Sequence, residues 1–312
     1  MLSCSTDRQT DRQTGRHAYL IIAHNNFRIL EKSLELLDNE RNDIYLHIDL
    51  KTEDFPEELL KSAVKKGNLI FTPRISVNWG GYSQIQAEVL LLKKATRTPH
   101  AYYHLLSGVD LPIKTQEQIH TFFDENQGKE FIRFDPNVTT ERIHERIRYH
   151  YLLQDKIGRN TGLKIAVYER AENLILKIQK SLHIDRTKKL SETFYKGTNW
   201  FSITQGLAEY VVSRESEIRK TYKNTICADE IFLHTLAKNS EYAVRIVDDS
   251  LRLVDWKRGD PYTFTIEDYD MIKSSDRLFA RKFDENTDME IVNRIYTEMK
   301  CQQEQQILFK NA

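Results

Sequence analysis

The chain has 312 residues, 40% apolar and 29% charged, enough to bury a sizeable core beneath a solvated surface, so disorder over most of its length is ruled out. Lys and Arg number 46, as do Asp and Glu, and the lack of any overall basic field argues against a dedicated nucleic-acid binder. No apolar run approaches the roughly 20 residues of a membrane span, and Cys4, Cys227 and Cys301, an odd count with no CxxC, exclude a disulfide scaffold and a cysteine zinc site.

The chain opens with MLSCSTDRQTDRQTGR, in which DRQT repeats in tandem and no apolar stretch of signal-peptide type follows. Residues 1–16 are therefore expected to form a disordered, dispensable tail. The fold is expected to start at His17 and to form a single domain over 17–312, because Pro and Gly are too sparse to mark a linker. Ala18–Ala23 is a continuous apolar run, expected for a buried parallel strand. A helix over Phe27–Leu37 and a strand over Ile44–Asp49 follow. Next come a helix over Phe55–Lys66, a short strand at Asn68–Phe71, a strong helix over Ser83–Ala95 and a strand over Ala101–Leu106. This alternation predicts an α/β protein whose open, mainly parallel sheet is flanked by helices on both faces. Ligands bind such sheets at the carboxyl ends of strands, where His24, Asp49, Trp79 and Asp110 fall. Beyond residue 113 the pattern is mixed. Strands are expected at Glu130–Phe134, Trp200–Ile203 and Tyr242–Val247, and helices at Thr140–Leu153, Gln205–Glu215 and Asp229–Lys238. Leu163–Lys180 is amphipathic and basic, and Thr187–Thr193 reads as a polar loop.

No Walker A loop, GxGxxG, GxSxG or HExxH occurs. The Asp-x-Asp at Asp268–Asp270 has the spacing of a divalent-cation site, but its context reads better as a solvated helix start. Arg281 and Lys282, enclosed by Leu278–Ala280 and Phe283, are held cations that need a counter-charge, either a carboxylate of the protein or a bound phosphate. Arg252, within Leu251–Trp256, poses the same choice. Asp229 and Glu230 open an apolar helix, where a carboxylate is ordinarily a cap or dipole partner and, beside a pocket, can be a general base. The Arg- and His-rich stretch Arg142–Arg148 fits either a solvated face or an anionic or polyhydroxylated partner.

Eight blocks occur in order: AYLIIAHNN, IYLHIDLK, VNWGGYSQIQAEVLLLKKA, YYHLLSGVDLPIKT, KGTNWFSIT, CADEIFLHTLAKNS, LRLVDW and SSDRLFARKFD. Together they resemble the Core-2/I-branching β-1,6-N-acetylglucosaminyltransferase family, which includes peptide O-xylosyltransferases. The resemblance implies a GT-A glycosyltransferase fold, with a Rossmann-like nucleotide half joined to an acceptor half. It implies inverting transfer from a UDP-sugar, GlcNAc first and xylose as the alternative, to a hydroxyl of a glycan or glycolipid. It implies no cofactor and no metal, with basic side chains doing the metal's work on the diphosphate. Carried over by motif, Glu230 is the catalytic base, Arg252 and Lys282 hold the donor diphosphate, Asp49, Trp79 and Asp110 line the nucleotide crevice, and Trp200 sits on the acceptor side. Animal members carry a membrane anchor and disulfides that this sequence lacks, so it resembles a bacterial-type member. The expectation is a cytoplasmic protein with peripheral contact at the inner membrane, acting in polysaccharide biosynthesis. A non-catalytic nucleotide-sugar or glycan-binding protein of the same fold is the alternative from another class.

Overall fold

A computed structural model describes residues 15–190 and 192–311. In chain order its elements are β1 (His17–Ala23), α1 (Phe27–Leu37), β2 (Asn42–Ile48), α2 (Glu57–Ser62), β3 (Asn68–Phe71), α3 (Tyr82–Ala95) and β4 (Tyr102–Ser107). Then come β5 (Leu111–Pro112), α4 (Gln116–Glu125), β6 (Glu130–Phe134), α5 (Thr140–Arg148), α6 (Gln154–Ile157) and α7 (Leu163–Ser181). They are followed by β7 (Gly197–Thr204), α8 (Gln205–Ser213), α9 (Glu215–Tyr222), α10 (Phe232–Lys238), β8 (Ile246–Val247) and β9 (Arg252–Val254). The chain closes with α11 (Tyr269–Ser274), β10 (Phe279–Arg281) and α12 (Met289–Asn311).

Among the described residues a seven-stranded sheet runs β3-β2-β1-β4-β7-β6-β8. Strands β3, β2, β1 and β4 are mutually parallel, while β7 lies antiparallel between β4 and β6. Side-chain alternation on β1 divides the core: Ala18 and Leu20 join a cluster with α3, α8 and α10, whereas Tyr19, Ile21 and Ala23 join one with α1, α2 and α4. Helices thus cover both faces, the α/β architecture expected from the sequence. A second sheet, β5-β10-β9, brings the LRLVDW and FARKF blocks side by side, with Phe279 opposite Arg252.

Several boundaries differ from the sequence expectation for identifiable reasons. The expected tail lies outside the described residues except for Gly15 and Arg16, and these two belong to the fold. The Arg16 guanidinium pairs with Asp43, and its carbonyl accepts from the Ala101 amide. Burial would raise the Asp43 carboxyl, but hydrogen bonds from His100, Arg16 and Asn68 outweigh it and hold it well below the usual range. The helix expected to run to Leu153 stops at Arg148, where the Arg186 guanidinium caps the Ile147, Tyr149 and Asn224 carbonyls. Tyr242–Val247 is mostly a 3-10 turn capped by Ser240, with Val244 exposed and only Ile246–Val247 in the sheet. Helix α12, unanticipated, packs Ile291, Val292, Ile295 and Met299 against α1.

Candidate active site

At the carboxyl end of β2, Asp49 is buried and its Oδ1 accepts from the Lys51 amide. Lys51 Nζ lies 3.5 Å from Asp49 Oδ2 and donates to Val77 O (2.6 Å) and Asn78 Oδ1 (3.0 Å). One lysine therefore ties the end of β2 to the Trp79-Gly80-Gly81 loop. Gly80 adopts φ +71°, open to glycine at little cost, and a Cβ there would meet Gln154 and Cys227 at about 3 Å. Gln154 Nε2 donates to Trp79 O, the Cys227 amide donates to Gly80 O (2.8 Å), and the Gly80 amide donates to Gln84 Oε1. Trp79 itself is exposed, with the Arg159 guanidinium 4.4 Å from its ring centre.

The Cys227–Gly80 bond places the Ala228–Glu230 turn directly behind this loop. Cys227, in the left-handed region (φ 47°), starts the 3-10 turn, and Ile231 (φ −124°) separates that turn from α10, so the expected Asp229–Lys238 helix is broken in two. Asp229 is therefore no cap: it is buried and accepts from Gln84 Nε2 (3.2 Å). Burial first, and the charge of Glu230 second, push its carboxyl up to about 7. Glu88 on α3 is equally buried, and burial with the Asp229 charge holds its carboxyl well above the ordinary range.

Glu230 points the other way, half-exposed. Arg146 Nη1 donates to its Oε2 (2.6 Å), and Lys196 Nζ lies 3.3 Å from the same oxygen while also pairing with Asp135 (3.2 Å). Both cations grip Oε2; Oε1 takes no hydrogen bond from any described residue. One edge of the carboxylate is fixed in direction and the other is open, which suits proton abstraction.

A second cluster surrounds the FARKF block. Arg281 Nε lies 3.2 Å from Asp110 Oδ1, and its guanidinium sits 4.0 Å from the centre of the Trp200 ring. Asp110 is fully buried, and its oxygens also accept from the Ser107 amide (2.9 Å) and hydroxyl (2.6 Å). Asp110, expected to line the nucleotide crevice, thus holds Arg281 and the Ser107 turn. Trp200, expected on the acceptor side, is buried against the Arg281 guanidinium. Lys282 alone makes no ion pair and no side-chain hydrogen bond with the described residues.

Arg252 also departs from expectation. It is buried, with Nη1 donating to Ser202 Oγ (2.9 Å) and Ser250 O, and Nη2 to Leu105 O (2.9 Å) and Phe201 O (2.8 Å). Burial lowers it to about 9 against the opposing pull of Asp110. With its fork spent on carbonyls that bind β4, β7 and β9 together, it is a structural cation rather than a free phosphate clamp. Asp268 of the Asp-x-Asp pairs with Arg258 (2.8 Å) and caps the Thr265 turn, and among the described residues no cluster of three or more His, Cys, Asp or Glu could hold a metal.

Sequence reasoning missed Arg146, Lys196 and Gln84 as members of the Glu230 neighbourhood. Arg146 lay in the Arg-rich stretch whose partner was left open, and that partner is Glu230. Lys196 and Gln84 sat inside the quoted blocks, with nothing in their spacing to show what they face.

Curated relatives include xylosyltransferase 2 of Rattus norvegicus, 24% identical over 89% of this chain and 33% of the relative, and a xylosyltransferase of Ciona intestinalis, 22% identical over 91% and 34%. The chain spans about a third of the length of these relatives. Among solved structures, mouse xyloside xylosyltransferase 1 aligns with 85% of this chain and 96% of its own, at 10% identity and a TM-score of 0.37. No described helix is long and apolar enough to cross a membrane. Residues 17–274 match the family model of the Core-2/I-Branching enzyme, and the chain belongs to that family.

Proposed function

We propose that the chain is an inverting glycosyltransferase of GT-A type that moves a sugar from a UDP donor to a hydroxyl of a glycan or glycolipid. The observation that carries this reading is Glu230, with Oε2 gripped by Arg146 and Lys196 and Oε1 left open. In this mechanism Oε1 takes the proton of the acceptor hydroxyl as that oxygen attacks the anomeric carbon, and the bond from that carbon to the β-phosphate oxygen breaks. Charge then gathers on the departing UDP. Lys282, a compact cation with no partner among the described residues, is the side chain assigned to that charge, with Arg281 paired to Asp110 next to it in the chain. No step needs a divalent ion. A pure binding protein would have no use for a base held in this manner.

The donor reading carries two sugars. N-acetylglucosamine follows from the family's branching enzymes, and the names of the curated relatives favour xylose. Discrimination rests on a few pocket contacts. UDP release measured with UDP-xylose, UDP-GlcNAc and other UDP-sugars, with a mixed glycan acceptor and with EDTA present, tests the reading. Acceptor-dependent release from one donor is expected. Release from none, or release abolished by EDTA and restored by Mn²⁺, overturns the activity or its metal independence respectively.

A further inference from the structure

Helix α7 carries an apolar stripe that the protein does not cover. Its buried residues are Glu172 and Gln179, while Leu163, Val167, Leu174 and Ile178 are between 49% and 90% exposed. At 3.6 residues per turn these four fall within about one sixth of the helix circumference. The opposite face docks: Glu172 Oε2 accepts from the Leu153 amide (3.2 Å), and Gln179 exchanges hydrogen bonds with the His150 backbone (2.7 and 2.9 Å), with Ile165, Tyr168, Ile175 and Leu176 half-buried beside them. The apolar stripe therefore faces away from the protein body, and Leu182, over half exposed, follows at the C-terminal end of the helix.

Charge on this face has one sign. Arg170 and Lys177 border the stripe on one side and Lys164 on the other, all exposed and without an ion pair among the described residues, whereas Glu169 lies towards the opposite face. An identical stripe from a second copy would bring like charges together, which disfavours self-association. A bilayer with anionic headgroups satisfies both features: the leucines enter the acyl boundary while the Arg and Lys stems reach the phosphates.

We infer that α7 is an interfacial helix that seats the protein on an anionic membrane surface through Leu163, Val167, Leu174 and Ile178, with Lys164, Arg170 and Lys177 contacting lipid phosphates. Helix α7 packs on α6, which supplies Gln154 to the Trp79 loop, so a docked α7 would hold that loop close to the membrane. The inference stands apart from the transferase reading, since it is tested without any sugar donor.

The test is co-sedimentation of the full chain with phosphatidylcholine vesicles and with phosphatidylcholine–phosphatidylglycerol vesicles at low and high salt, beside its sedimentation velocity without lipid. Wild type is expected to bind only the anionic vesicles, less at high salt. Leu174→Gln/Ile178→Gln and, independently, Arg170→Glu/Lys177→Glu are each expected to weaken binding at least about tenfold with unchanged melting temperature. The inference is overturned if wild type ignores anionic vesicles or binds neutral ones equally well, or if the charge-reversal variant binds like wild type. It is equally overturned if the free chain is a dimer that Leu174→Gln/Ile178→Gln converts to monomer, since a second copy would then cover the stripe.

Discussion

Lys282 leaves its ammonium without a partner among the described residues, while the adjacent Arg281 is enclosed by Asp110 and Trp200. The FARKF block thus divides the two roles that the sequence left open for its cations: one pairs with a carboxylate of the protein and the other stays available. Lys282→Ala is expected to leave the melting temperature nearly unchanged and to weaken UDP binding about tenfold, the ordinary loss for one charge-assisted contact. Arg281→Ala strands Asp110 in the interior and is expected to cost about 3 kcal/mol of stability. Calorimetry and UDP titration on both variants check the pair. Equal UDP affinity for Lys282→Ala and wild type would remove Lys282 from the donor site. Asp110, Arg252 and Trp200, expected at the ligand, each make internal contacts that their blocks do not announce. Composition cannot tell a cation that meets phosphate from one that meets three backbone carbonyls and a serine hydroxyl.

At the level of elements, β1, β2 and β4 were legible because both of their faces are buried, so each reads as a near-continuous apolar run. Helix α1 was equally legible because one face alone is buried. The Cys227–Glu230 turn was not, since its backbone is set by the amide bond from Cys227 to Gly80, a contact far removed in sequence. Strand β7 shows the same dependence on distant neighbours. It begins at Gly197, where a Cβ would lie 1.9 Å from Arg133 O and 2.4 Å from His234 Nε2. Gly197→Ala is expected to push β7 away from β6, costing roughly 1–3 kcal/mol. It should also lower transfer further than stability alone explains, because the neighbouring Lys196 grips Glu230. Thermal unfolding and activity of the folded fraction measure the two effects, and an unperturbed Gly197→Ala would contradict this account of the β6–β7 junction.

Across the whole molecule, a polar chain threads the sheet beneath the site. Arg252 Nη1 donates to Ser202 Oγ, His104 Nδ1 lies 2.9 Å from that hydroxyl, and His104 Nε2 lies 2.9 Å from His17 Nδ1. Burial first, then neighbouring histidines for His17 and Arg252 for His104, hold both imidazoles well below their ordinary range, and burial lowers His234 to about 4. A lowered histidine is neutral in the fold while the unfolded chain takes up protons below about pH 6.5, so stability is full above that value and falls with acidification. Each of the three contributes a slope of roughly 1.4 kcal/mol per pH unit until it titrates, for His234 near pH 4. Asp229 works in the opposite direction, its raised carboxyl gaining a proton in the fold as pH drops through about 7. Glu88, also held well above the ordinary range by burial, works in the same direction as Asp229, and three histidines against two carboxyls leave net destabilisation between about pH 6.5 and 4. Denaturant unfolding at pH 7.5 and pH 5 should show a clear loss at the lower value, and equal stability at both would contradict the burial of these rings as neutral species. The sequence placed His104 in a strand and His17 at the start of the fold, but only the parallel register of β1 on β4 brings them together.

The central claim is that Glu230 removes the acceptor proton, and Glu230→Gln tests it most directly. Glutamine keeps the volume and can still accept from Arg146 and Lys196, but it cannot take a proton. With the donor and acceptor that support turnover, initial-rate transfer should fall by about 10²-fold or more while UDP affinity and melting temperature stay near wild type. A Glu230→Gln protein that transfers sugar at the wild-type rate would contradict the account and leave Glu230 as an anchor for two cations.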